Sequence, residues 1–104
     1  MQKIIRQGDV LLVRVAKVPA KASKIAAEGG RVVLAHGEVT GHAHAIYEPA
    51  KAKLWSAGAE RFLQVMETVA LQHEEHSAAN LAPGVYRVAI QTEYTPQALR
   101  NVAD

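Results

Sequence analysis

Short apolar runs alternate with turn residues along the whole chain, at a spacing of about ten positions. In several runs the apolar side chains fall on every second residue, as Tyr86, Val88 and Ile90 do. A period of two places such residues on one face of an extended strand, which is typical of half-buried β-structure. The pattern predicts seven strands, at residues 10–15, 31–35, 42–47, 53–55, 61–65, 69–73 and 85–94.

Three stretches need separate interpretation. Residues 20–30 are rich in Ala and Lys and end in two glycines, which predicts a loop with room for one helical turn. Residues 60–76 fit a helical face through Phe62, Met66 and Val69, but alternation at 63–65 and 69–73 favours two strands. Thr95-Pro96 has N-cap and N1 character and predicts a short C-terminal helix over residues 97–102.

Together these elements predict one all-β domain over residues 1–104, a small barrel or sandwich of about seven short strands with a C-terminal helix. Hydrophobic residues make up 49% of the chain and aromatic residues 5%. The core must therefore be built mainly from small and branched side chains. Such a core leaves some apolar surface for a second subunit to cover, and a homo-oligomer is expected.

The composition of the chain excludes some kinds of site and partner. The chain has no cysteine, which excludes disulfides and thiolate metal ligands. The longest aliphatic run, residues 10–13, is too short to cross a bilayer, and the first residues do not resemble a secretory leader. We therefore expect a cytoplasmic protein without a membrane partner. The net charge is only +2, but residues 1–31 hold seven basic and two acidic residues. Such a region could contact nucleic acid or an acidic partner, although solvated lysines around a loop are the favoured interpretation and a nucleic-acid partner is not expected.

Candidate chemistry is concentrated in two histidine clusters. Residues 36–44 contain His36, His42 and His44, and residues 73–76 contain His73 and His76. Two residues apart on a strand, His42 and His44 project from the same face. Neighbouring imidazoles can share one metal ion, and we expect the two clusters to meet in one pocket.

A carboxylate would complete the two-His-one-carboxylate set that non-haem iron sites use. Glu48 and Glu38 are the candidates near the first cluster, and His73 or His76 could supply a third imidazole. The expected cofactor is a divalent ion, with zinc, iron, manganese and nickel all compatible with nitrogen and oxygen ligands. If the protein is an enzyme, metal-assisted chemistry on a small molecule is the natural class.

The segment Gly37, His42, His44 and Glu48, followed later by Pro83-Gly84, resembles the two sequence motifs of cupins. The resemblance implies a metal-binding jelly roll in which His42, His44 and Glu48 are ligands. The chain departs from the cupin pattern in the second motif, because no histidine follows Pro83-Gly84. His73 and His76 precede it instead, and the resemblance covers about half of the chain.

A different class of function also fits the sequence. Residues 8–15 resemble the opening strand of the small co-chaperonin barrel. That similarity implies a purely structural, oligomeric protein. The alternative hypothesis is therefore a non-catalytic structural or interaction module, oligomeric and phage-associated, in which the histidines order loops. Metal content distinguishes this alternative from a metal-binding protein.

Overall fold

In a computed structural model, which describes residues 4–37 and 41–91, the chain consists of β-strands, turns and loops. Within these ranges there are ten strands, mostly of three to six residues. In chain order they are β1 (Ile4–Gln7), β2 (Val10–Val15), β3 (Ser23–Ile25), β4 (Val32–His36), β5 (Ala43–Ile46), β6 (Ala52–Ala57), β7 (Glu60–Val65), β8 (Val69–Leu71), β9 (Ala79–Leu81) and β10 (Gly84–Ile90).

Six of the strands form one antiparallel sheet in the order β1-β2-β10-β7-β6-β3. Leu12 stands opposite both Ile5 and Val88, so these three side chains share one face. β1 and β2 form a hairpin whose two-residue turn is Gly8-Asp9. Gly8 has a φ of 58°, a left-handed conformation that glycine adopts without a steric penalty.

The remaining strands form two hairpins, β4–β5 and β8–β9. Ala45 and Gln72 link them by a pair of backbone hydrogen bonds of 2.9 and 2.8 Å. The register of β4–β5 shifts between Val33 and Ala35, which makes a β-bulge opposite Ala45 and His44. This geometry places β5 directly beside the segment that follows β8.

One hydrophobic cluster joins the large sheet to both hairpins. The sheet contributes Val10, Leu12, Leu54, Leu63, Val65, Tyr86 and Val88, and the hairpins contribute Val32, Leu34, Ile46, Val69, Leu71 and Leu81. Few of these side chains are aromatic, as the composition predicts. The hairpins thus cover one face of the sheet, and the histidine-bearing segments extend from the rim of this core.

The all-β class and the interpretation of residues 60–76 as strands are confirmed. The hairpin predicted at residues 53–65 is also found, as β6 paired with β7. The number of strands is corrected from about seven to ten. A closed barrel is wrong for the described residues, since β1 and β3 are opposite edges of an open sheet. The predicted helix at residues 97–102 lies outside the described residues.

The three additional strands, β1, β3 and β9, are short, with four, three and three residues. β3 occupies the predicted loop at residues 20–30, and β9 lies just before the Pro83-Gly84 turn. Neither has enough residues to display a period. Over the described ranges the structure contains no helix long and apolar enough to cross a membrane.

Candidate metal centre

Three separate segments meet beside the core. His42 and His44 lie at and just inside the start of β5, and His73 and His76 lie in the loop between β8 and β9. The Ala45–Gln72 bridge sets these two segments side by side. The third segment is the end of β1 and its turn, where Gln7 and Asp9 approach His44.

The four imidazoles form one group, called here the histidine cluster: His42, His44, His73 and His76. The rings of His44 and His73 are stacked with their centroids 4.2 Å apart. The His73 and His76 centroids are 4.8 Å apart, and the ring of His42 stands perpendicular to that of His73 at 5.9 Å. His42 and His44 of the first sequence cluster thus meet both histidines of the second, whereas His36 does not join them.

Gln7 fixes the orientation of His44. Its amide nitrogen donates to the carbonyl oxygens of Leu71 and Ser77, at 2.8 and 3.0 Å. The amide oxygen therefore faces Nδ1 of His44, at 2.8 Å, and can only accept a hydrogen bond from it. The neutral His44 ring thus carries its proton on Nδ1, which leaves a free lone pair on Nε2. Metal-ligating histidines are commonly held in this way by a hydrogen bond at the second nitrogen.

Burial keeps His44 uncharged. The residue is only 3% exposed, and this desolvation lowers its pKa below the ordinary value of 6.5. The nearby His73 lowers the pKa further, whereas the Asp9 carboxylate acts in the opposite direction. Since the lowering causes prevail, His44 is a neutral imidazole at pH 7.

His42 is oriented by a carboxylate. Its Nδ1 lies 2.8 Å from Oε2 of Glu75, an acceptor, so the ring donates from Nδ1 and presents its Nε2 lone pair elsewhere. The adjacent Glu74 accepts the backbone N–H of Ala43 at 2.9 Å. That hydrogen bond is the main cause that lowers the pKa of Glu74, which is therefore ionised at neutral pH.

In His73 the Nδ1 atom accepts a hydrogen bond, whereas in His42 and His44 it donates one. The backbone N–H of Glu75 donates to its Nδ1 at 3.0 Å, so a neutral His73 carries its proton on Nε2. A metal ion on Nε2 would move the proton to Nδ1, where it would face the Glu75 N–H. Coordination by either ring nitrogen therefore requires this hydrogen bond to open. Of the candidate ligands His42, His73 and Glu74, His73 is the one that must reorganise.

Three residues converge closely enough to hold an ion. One donor atom from each of His42, His73 and Glu74 lies within 4.8 Å of the other two. Two ligands on one ion, with bonds of about 2.1 Å, lie roughly 3.0–3.5 Å apart. Side-chain shifts of about an ångström would thus complete a two-His-one-carboxylate site. The fit rests on donor chemistry as well as distance, because His42 already has the required tautomer.

Other predicted ligands are occupied differently. His36, at the end of β4, pairs with Glu28 at 3.4 Å, and both side chains are largely exposed. Glu48 pairs with Lys51 at 2.9 Å in the turn after β5. Both side chains are therefore bonded to partners outside the histidine cluster. Glu38 lies outside the described residues.

Glycines let the backbone approach the imidazoles. A Cβ atom on Gly8 would lie 2.6 Å from Nε2 of His76 and 3.2 Å from Cε1 of His44. A Cβ atom on Gly37 would lie 3.0 Å from that of His42 and 3.3 Å from Nε2 of His73. Real side chains do not tolerate the first of these distances. Gly8 therefore suits the turn through its φ, and a larger residue there would make the exposed His76 ring shift.

Sequence reasoning missed several members of the site. Gln7 and Asp9 were recognised only as part of a turn, and no local pattern shows that the turn reaches residues so far along the chain. Glu74 and Glu75 read equally well as a solvated acidic loop. The one available signal for these two glutamates was that each is next to a histidine in the sequence.

Comparisons with known proteins identify a family but no activity. The family model described as "Domain of unknown function (DUF8820)" matches residues 6–91, a range that includes all three segments of the site. No curated protein and no solved structure matches the chain.

Proposed function

The chain belongs to the DUF8820 family, and from the geometry of its histidine cluster we propose that it is a divalent-metal-binding protein. The proposed ligands are His42, His73 and Glu74. The observation that carries the proposal is the convergence of their donor atoms within 4.8 Å from two segments distant in sequence.

The donor set favours a borderline or hard divalent ion. Two imidazole nitrogens and one carboxylate oxygen suit zinc, iron, manganese or nickel. Three protein ligands leave at least one coordination position for water or a small molecule, which is the arrangement of catalytic rather than purely structural sites. A bound ion would lower the pKa of such a water and supply a nucleophile near neutral pH.

The proposal does not depend on the cupin resemblance. That resemblance implies Glu48 as the carboxylate, whereas the Glu48 carboxylate bonds to Lys51 and Glu74 takes the corresponding place.

The cytoplasmic location and the homo-oligomeric state expected from the sequence belong to the same proposal. Cell fractionation and the mass measured by size-exclusion chromatography with light scattering test them.

Calorimetric titration with Zn²⁺ or Mn²⁺ after chelator treatment tests the function. Wild-type protein should bind metal tightly, and Glu74→Gln should lose at least tenfold in affinity, with Glu48→Gln as the matched control that leaves binding unchanged. His42→Asn removes Nε2 while its amide nitrogen can still donate to Glu75. His36→Asn is its control. Equal affinities for all four variants and the wild type would contradict the proposal.

A second candidate function is favoured by one specific observation. Among the described residues, every buried side-chain nitrogen and oxygen has a hydrogen-bond partner without any ion. The cluster therefore holds the β8–β9 loop against β1 by itself, as a structural or interaction module would require. Unfolding measured with and without metal separates the candidates, since a metal centre predicts a higher melting temperature with the ion bound.

A further inference from the structure

Asp9 and His44 face each other with no donor between them. Oδ1 of Asp9 lies 3.4 Å from Nε2 of His44. A direct hydrogen bond between a carboxylate and a protonated imidazole would be about 2.7–2.9 Å long. The Gln7 bond places the His44 proton on the other nitrogen, Nδ1. Two acceptors therefore point toward one another, the imidazole buried and the Asp9 side chain 43% exposed.

A cation bound between the two acceptors would accept both lone pairs and remove their mutual repulsion. Two ligands on a tetrahedral ion, each at about 2.1 Å, are separated by about 3.4 Å. The observed separation of Oδ1 and Nε2 matches this value without any movement of the side chains. A third imidazole is close by, because Nε2 of His76 lies over Gly8, the residue before Asp9.

From these contacts we propose a second divalent-cation site, formed by Asp9 and His44 with His76 as a third ligand. It uses the β1–β2 turn together with β5 and the β8–β9 loop, whereas the first site uses only the latter two segments. The inference goes beyond the proposed function, because it makes the centre binuclear.

Two of the proposed ligands of the second site, His44 and Asp9, are already held in place. His44 is aligned by Gln7, and Gln7 is held in turn by the carbonyls of Leu71 and Ser77. Asp9 is anchored through its backbone, since its carbonyl accepts the N–H of Gln91 at 2.7 Å. The site therefore needs less rearrangement than the first, in which the His73–Glu75 bond must open.

Equilibrium dialysis against Zn²⁺ with metal analysis tests the proposal on the full chain. We expect two equivalents in the wild type, one in Asp9→Asn, one in Glu74→Gln and none in the double variant. His44→Asn should also bind one equivalent, because its amide nitrogen preserves the bond to Gln7 while Nε2 is lost. Circular dichroism confirms that each variant is folded.

The outcomes separate the two sites. One equivalent in the wild type, lost in Glu74→Gln and kept in Asp9→Asn, would overturn the second site and leave the first intact. One equivalent lost in Asp9→Asn and kept in Glu74→Gln would support the second site and overturn the first. No binding in the wild type would overturn both.

A measurement on the wild type alone covers the case in which a variant does not fold. In long-range ¹H–¹⁵N correlation spectra, saturating Zn²⁺ should change the shift of a ring nitrogen of both His44 and His76, as expected of nitrogens bonded to the ion. Coordination shifts confined to the ring nitrogens of His42 and His73 would contradict the second site.

Discussion

The amide oxygen of Gln7 lies 2.8 Å from Nδ1 of His44, and both residues are buried to the same degree, with 3% of their surface exposed. This bond joins the edge strand β1 to the centre of the histidine cluster. Because the Gln7 nitrogen also donates to Leu71 and Ser77, one side chain connects three segments.

Loss of the Gln7 amide should therefore destabilise the fold. Gln7→Leu leaves the buried carbonyl of Leu71, the part-buried carbonyl of Ser77 and one imidazole N–H without their partner. We expect a loss of about 3 kcal/mol in the free energy of unfolding. Gln64→Leu is the matched control. Gln64 accepts a single bond, from Nε1 of Trp55, and its loss should cost about 1 kcal/mol. Urea denaturation measures both, and equal losses would contradict the role assigned to Gln7.

The stacked pair His44 and His73 should hold opposite tautomers in metal-free protein. The Gln7 oxygen requires a proton on Nδ1 of His44, whereas the Glu75 N–H requires a lone pair on Nδ1 of His73. Long-range ¹H–¹⁵N correlation spectra at pH 8 distinguish the protonated nitrogen of each ring. The same tautomer for both rings would show that one of these hydrogen bonds does not form in solution.

Stability should fall on the acid side of neutrality. The pKa of His44 is lowered in the folded state, so the unfolded chain binds the proton more readily. The contribution of His44 is fully present above its unfolded pKa of 6.5 and is lost as the pH falls from there toward the lowered folded value. Denaturation of chelator-treated protein from pH 8 to pH 5 should show this decline. His44→Asn should flatten it, and an unchanged slope in that variant would contradict the assignment.

Two glycines with similar backbone angles should differ in their tolerance of alanine. Gly8 and Gly58 have φ values of 58° and 63°. Alanine at either position costs about 1–2 kcal/mol for the left-handed conformation. Only Gly8→Ala also places a Cβ atom against His76, because nothing lies within 4 Å of the position at Gly58. Gly8→Ala should therefore destabilise the protein more and weaken metal binding, whereas Gly58→Ala should leave binding intact.

Much of the fold was predictable from sequence because its longer strands are half-buried. β6, β7 and β10 each have six or seven residues, which is enough for a period of two to show. β3 and β9 have three residues each, and their pairing depends on neighbours that are distant in sequence. The open edges of the sheet could not be predicted either, since strand order is a property of the whole chain.

For the site, sequence reasoning found the imidazoles and missed most of what orients them. The two histidine clusters stand out in a chain with only five histidines. Their carboxylate partner was sought at Glu48, close in sequence to His44, but the Ala45–Gln72 bridge brings Glu74 to the cluster instead. Gln7 and Asp9 had no distinguishing pattern, because a polar residue beside a glycine is ordinary in a turn.

Anomalous diffraction from crystals soaked in Zn²⁺ tests the metal centre most directly. The account predicts a peak within about 2.1 Å of donor atoms of His42, His73 and Glu74, with the Glu75–His73 hydrogen bond opened. Crystals with no peak at the histidine cluster, or with zinc only at surface pairs such as Glu28 and His36, would contradict it.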